Sequence, residues 1–204
     1  MPHLRCALLV FSLCACLGAA PASADSWRVD PDHSAAHFAV RHLGISEVRG
    51  FFSDIVGTAV FGEPGNLLQS LELTIGADSI ETGIKKRDNH LRSHDFFDAY
   101  TFPAITFHSK KITASTPGKL QLTGDLTMHG VTREITVDLA GPTPPLQDPW
   151  GNTRRGARLT ARLNRTNFGL TYNTVLEGGR LLVGEVVEVS VDLEFIRQQE
   201  GNSK

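Results

Sequence analysis

From residue 35 onward, apolar and polar positions alternate in run after run. Ala36, Phe38 and Val40 alternate with Ala35, His37, Ala39 and Arg41. Leu71, Leu73 and Ile75 alternate with Glu72, Thr74 and Gly76, and Leu120 and Leu122 with Gln121 and Thr123. Further runs place Ile135, Val137 and Leu139, then Leu159, Ala161 and Leu163, then Val187 through Phe195, on every second position. A period of two buries one face of a strand and wets the other, which is the signature of antiparallel sheet. Turn signals separate the runs: Glu63-Pro64-Gly65-Asn66, Thr116-Pro117-Gly118, His129-Gly130 and Glu177-Gly178-Gly179. About eight strands of this kind predict a sandwich or a barrel.

Two stretches break the alternation. Residues 84–99, IKKRDNHLRSHDFFDA, place Leu91, Asp95 and Asp98 on one helical stripe and end on Phe96 and Phe97. A helix of about three turns, or two short ones, is expected there, with Pro103 leading into the next strand. Residues 141–156 hold four prolines and Trp150-Gly151-Asn152 and predict a long loop, a place where function often resides.

The N-terminus reads as an address. Arg5 precedes an apolar run over 6–17, and Ala22-Ser23-Ala24 is a small-residue cleavage site. The run is too short to cross a bilayer, which needs about 20 residues. The expected layout is a secretory signal over 1–24, one exported domain over 25–197 and a frayed tail over 198–204. A second reading of the leader makes Cys16, in Leu13-Cys14-Ala15-Cys16, the lipid-modified residue of an anchored protein. All three cysteines lie in the leader, so the mature chain would carry no disulfide into an oxidising compartment. Loss of Arg5 moves the formal charge from −2 to −3, which disfavours a nucleic-acid partner.

Candidate chemistry is sparse. His33 and His37 would be about 13 Å apart on a strand, too far to share one ion. His90 and His94 would share a helical face, but Leu91 stands where a zincin carries Glu. No metal site and no cofactor is assigned. Asp88, His90, Ser93, His94 and Asp95 cluster in sequence, yet adjacent helical positions cannot form a nucleophile–base pair. No nucleophile elbow or phosphate loop is present, so no enzyme activity is expected. The charged run Lys85-Lys86-Arg87-Asp88 with Arg92 and Asp95 reads either as a solvated helix face, with Asp88–Arg92 and Arg92–Asp95 pairs, or as a basic rim for an anionic headgroup. Phe dominates the aromatics, at 11 residues against two Tyr and two Trp, which suits a dry interior.

Several segments, in order, resemble the YceI-like, polyisoprenoid-binding family. They are His33-Ser34 with Phe38 and Val40-Arg41-His42, then Ser46-Glu47-Val48-Arg49-Gly50-Phe51-Phe52. The most specific is Arg87-Asp88-Asn89-His90-Leu91-Arg92-Ser93-His94-Asp95-Phe96-Phe97, followed by Pro103-Ala104-Ile105-Thr106-Phe107. Thr123 through Thr132, Asp148-Pro149-Trp150-Gly151 and Asn164-Arg165-Thr166-Asn167-Phe168-Gly169 complete the set. The resemblance implies an all-β, lipocalin-like antiparallel barrel of about eight strands with a short helical insertion. It also implies a periplasmic carrier, often a homodimer, that encloses a long-chain isoprenoid or quinone-like lipid and catalyses nothing. A small-molecule or metal-binding stress-response protein on the same barrel is the alternative. Alternation, not the family, supplies the expected ligand-binding residues: Phe38, Val40, Leu71, Leu73, Ile75, Ile105, Phe107, Leu126, Met128, Val189, Val191 and Leu193, with Leu91 and Phe96 as a lid. A one-residue slip in any strand would swap its faces.

Overall fold

A computed structural model describes residues 24–62, 67–116 and 118–198 of the 204-residue chain. The strands are β1 (Ala24–Val29), β2 (Ala35–His42), β3 (Ser46–Phe52), β4 (Ile55–Gly62), β5 (Leu67–Gly76) and β6 (Ile80–Glu81). Helix α1 (Lys85–Arg92) follows, then β7 (Ala104–Thr116), β8 (Lys119–Met128), β9 (Val131–Ala140), β10 (Leu146–Gln147), β11 (Thr153–Asn164) and β12 (Val183–Arg197). Every pairing among them is antiparallel.

These segments trace eight strand paths. β1 and β2 are halves of one path along the edge of β12: Val29 lies opposite Phe195, and Ala35 opposite Asp192. Between them Pro31 opens a 3₁₀ turn that Asp30 caps by accepting from the Asp32 N–H. β3 and β4 form the partner path, paired with β2 and β1 respectively. β5, β7, β8, β9 and β11 follow in order, and β12 pairs with β11 from Arg154–Ile196 to Asn164–Val186. That ladder closes the sheet into a barrel. β8 and β9 are joined by a two-residue turn in which His129 (φ 52°) and Gly130 (φ 73°) are both left-handed, as a tight hairpin requires.

The alternating runs take the faces read from the sequence. Leu71, Leu73, Val137, Leu139, Leu159, Val191, Leu193 and Phe195 are buried inside, while Glu72, Thr74, Asp138, Thr160 and Glu188 face out. One end of the barrel is solid. Trp27, Phe61 and Phe195 pack edge to face there, with ring centroids 5.7 and 6.1 Å apart. Leu71, Leu122 and Leu139 lie on top of them, each at most 1% exposed.

The helical insertion differs from expectation. α1 stops at Arg92 because Ser93 takes an extended backbone and its hydroxyl donates to the His90 carbonyl at 2.8 Å. Turns then carry the chain to Thr101, and Asp98 has φ 42°, so Leu91, Asp95 and Asp98 form no stripe. The solvated-face reading is also corrected. Asp88 is 8% exposed and accepts from the N–H (2.9 Å) and hydroxyl of Thr82. Arg92 donates to the carbonyls of Asp78 and Ile80, both at 2.6 Å, and lashes the helix to the barrel.

Residues 1–23 of the expected leader, the 63–66 turn, Pro117 and tail residues 199–204 lie outside the described residues. Gln198, read as tail, still donates to the Ser26 carbonyl at 2.8 Å. Among the described residues, no helix is long and apolar enough to cross a membrane.

Candidate functional site

Above the packed end the barrel is hollow. A cavity of about 190 Å³ lies between that floor and the helical insertion. An apolar cavity of about 150 Å³ is already enough to hold benzene. Its walls come from alternate positions: Ala36, Phe38 and Val40 on β2, Leu73 and Ile75 on β5, Ile105 and Phe107 on β7, and Leu126 and Met128 on β8. Ile135 and Val137 on β9, Leu159, Ala161 and Leu163 on β11, and Val187, Val189 and Val191 on β12 complete them. Leu91, Phe96 and Phe97 reach in from the insertion, with Ile80 and Leu170 beside them.

Ten of the twelve residues read from alternation, together with the expected lid pair Leu91 and Phe96, therefore meet around one space. The other two, Leu71 and Leu193, face inward but lie one layer lower, in the floor, and do not line the cavity. Alternation reports a face and is blind to depth along the strand. Ile135, Val137, Leu159, Ala161, Leu163 and Val187 belong to the same alternating runs and were legible by the same rule. Phe52, Ile80, Phe97, Leu170 and Val183 were not, since each sits at a strand end or in a turn.

Inward glycines hide part of the pattern. Gly50 lies opposite Phe38, and a Cβ on it would fall 2.6 Å from the Phe38 ring. Gly124 pairs with Ser109 and sits diagonally from Phe107, whose ring a Cβ would approach to 2.9 Å. Each glycine gives a large ring room to lie flat over the neighbouring strand.

Among the described residues, Arg165 is the one Arg, Lys, Asp or Glu in the lining, and it is 5% exposed. It donates to the carbonyls of Gly184 (2.9 Å), Leu170 and Val183 (3.3 Å), tying three points of the rim together. Burial lowers its pKa, against the opposing pull of Glu185.

The insertion forms a cap. His90 donates to Asp95 at 2.8 Å, and its ring stands edge-on to Phe96 (5.1 Å) and Tyr172 (4.9 Å). His94 lies beyond the helix end, with Nε2 3.3 Å from the same Asp95 carboxylate. Ser93 donates its hydroxyl to the His90 main-chain carbonyl, and with the His90–Asp95 bond it ties the end of the helix to the turn beyond it.

The solid end holds an ion network that sequence reading missed. Asp30, His33 and Glu194 bring ligand-type atoms within 4.8 Å of one another. Arg154 already supplies the cation there: it donates to Asp30, to Glu194 at 2.6 Å and to Asp148 at 2.6 Å. Burial works to raise the Asp148 carboxyl, but bonds from Arg154, Asn152 and the Trp150 N–H hold it well below the usual carboxylate range. Asp30 is lowered in the same way, burial being outweighed by His33, Arg154 and the Asp32 N–H. The bond to Asp30 raises His33. The expected long loop is thereby fixed, through Arg154 of β11, to Asp30 just past β1 and to Glu194 of β12. Its signal was Asp148 spaced two, four and six residues from Trp150, Asn152 and Arg154.

Comparison with known proteins places this geometry. The YceI-like domain matches residues 27–195. A UPF0312 protein of Staphylococcus aureus is 35% identical over 167 residues, 81% of this chain and 94% of the relative. The crystal structure of a Campylobacter jejuni YceI protein superposes with a TM-score of 0.65 at 28% identity, covering 78% of this chain and 90% of the other. A polyisoprenoid binding domain from Saccharophagus degradans shares the fold at a TM-score of 0.59 and 15% identity, covering 84% and 98%. This chain is a member of the YceI-like domain family.

Proposed function

We propose that this protein is a non-enzymatic carrier of a long-chain apolar lipid, isoprenoid or quinone-like. The observation that carries the proposal is the hollow, apolar upper half of the barrel between a packed floor and a helical cap. Each CH₂ moved from water into such a space contributes about 0.8 kcal/mol, so one five-carbon isoprene unit contributes several kcal/mol gross. Part of that is spent on association, and a few units suffice for tight binding. The Saccharophagus degradans neighbour, described as polyisoprenoid-binding, supports the same class of cargo.

The carrier works in the bacterial periplasm, where a water-insoluble chain needs a cover. The leader pattern over 1–24 supports export. Two copies pair into a homodimer, for which the outer edge of β3 is a candidate: β6 pairs only with Phe51 and Phe52.

Uptake of polyprenols and quinones by delipidated protein tests the proposal. The expected result is one chain per barrel, with weaker uptake by folded Phe38→Asp or Leu73→Asp. No uptake by the folded wild type would refute it.

A further inference from the structure

We infer that the floor of the cavity is a ruler that fixes how much of a bound chain the barrel can cover. The inference rests on the lipid-binding reading of the cavity and names what sets its specificity.

Three wall strands show the same step. On β9, Ile135 and Val137 face the cavity and Leu139 does not; on β5, Ile75 and Leu73 do and Leu71 does not; on β12, Val189 and Val191 do and Leu193 does not. The floor leucines are at most 3% exposed. Beneath them the rings of Trp27, Phe61 and Phe195 pack edge to face, so the floor is backed by a close-packed layer that cannot sink. The wall above it is about 13 Å long, measured along β12 from Val187 to Val191.

The wall offers little to a polar head, because Arg165 turns its N–H groups to main-chain carbonyls. A chain therefore inserts methyl end first until it meets the floor, and its head stays at the rim. Each methylene between floor and rim leaves water. Any beyond the rim does not.

Affinity should then rise about three- to fourfold per added methylene and break to a plateau at one length. Straight-chain primary alcohols of increasing length, measured by displacement of a fluorescent fatty-chain probe, locate the break. In Leu139→Ala the break moves to chains longer by about three carbons, the number that Leu loses on becoming Ala. In Val137→Phe, which fills the lowest wall layer without touching the floor, it moves to shorter chains. The same break in all three folded proteins, or affinity that climbs without a break, would overturn the ruler while leaving lipid binding intact. Wild-type protein that binds neither alcohols nor polyprenols would remove the lipid-binding reading itself, and the ruler with it.

Discussion

His90 donates a 2.8 Å hydrogen bond to Asp95 and thereby folds the chain after α1 back onto the helix. The bond spans the end of the helix, from its last turn to the turn that carries Phe96. Phe96 is in contact with the His90 ring and lines the cavity. This bond adds to the main-chain bonds that close the cap, from Phe97 to Leu91 and from Ala99 to Arg92. Replacing Asp95 with Ala is expected to cost about 1 kcal/mol, the net worth of an ordinary hydrogen bond, or roughly 2–4 °C in Tm for a domain of this size. Hydrogen exchange should quicken over residues 93–102 and stay slow in β11 and β12. Uniform quickening would show that the bond supports the whole barrel instead.

A second prediction concerns the other end. Asp148 and Asp30 have pKa values lowered by Arg154 and their other donors. A carboxyl lowered on folding contributes stability that is present above its unfolded value and is lost as pH falls through the folded value. The wild-type Tm should therefore decline as pH drops below about 4. Arg154→Met should be less stable at pH 7, where it leaves the buried Asp30 and Asp148 carboxylates charged without their guanidinium partner, and the gap from wild type should narrow in acid. His33 works in the opposite sense: its raised pKa adds stability at low pH that is lost as pH rises through its folded value. Thermal melts across pH check both signs, and a gap that does not change with pH would contradict the account.

A third prediction follows from the ring of Phe38 over Gly50. A Cβ at Gly50 would stand 2.6 Å from both the Phe38 ring and the Glu81 carbonyl. Gly50→Val should cost about 1–3 kcal/mol, the usual range for overpacking. It should also weaken ligand uptake, because the ring must swing into the cavity. Loss of stability with unchanged uptake would place the clash on the Glu81 side.

Ligand linkage supplies a fourth. A chain that binds only the folded barrel, present at 100 times its Kd, adds about 2.7 kcal/mol of stability. That corresponds to a rise of roughly 5–10 °C in Tm. Delipidated protein titrated with a polyprenol should show the rise in wild type and a smaller one in Phe38→Asp. An equal rise in both would indicate binding outside the cavity.

Much of the fold was legible because six runs carry unbroken alternation, and their parity alone placed Phe38, Leu73, Leu159 and Val191 on one inner face. β1, β3 and β4 were harder to read. Inward positions there include Gly50 and Gly57, whose missing side chains are replaced by Phe38 and Leu73 leaning across from the next strand. Depth was not legible at all: Leu71 and Leu73 look alike in sequence, yet one is floor and the other wall. The short helical insertion was legible but not its end: a helix of about three turns, or two short ones, was expected because helix-like spacing continues past Ser93, while the Ser93 side chain stops the helix there. Arg92 reaching the carbonyls of Asp78 and Ile80 is a tertiary contact that no local pattern encodes. The same holds for Arg154 joining Asp30, just past β1, Glu194 of β12 and Asp148 of the 148–152 turn.

The most direct test of a lipid-filled barrel is native mass spectrometry of the protein purified from its own cell, followed by organic-solvent extraction. The expected result is a mass excess of one long apolar chain per barrel, released by solvent and identifiable as an isoprenoid, quinone or similar lipid. A protein that arrives empty, and that takes up no polyprenol or quinone when these are supplied, would contradict it.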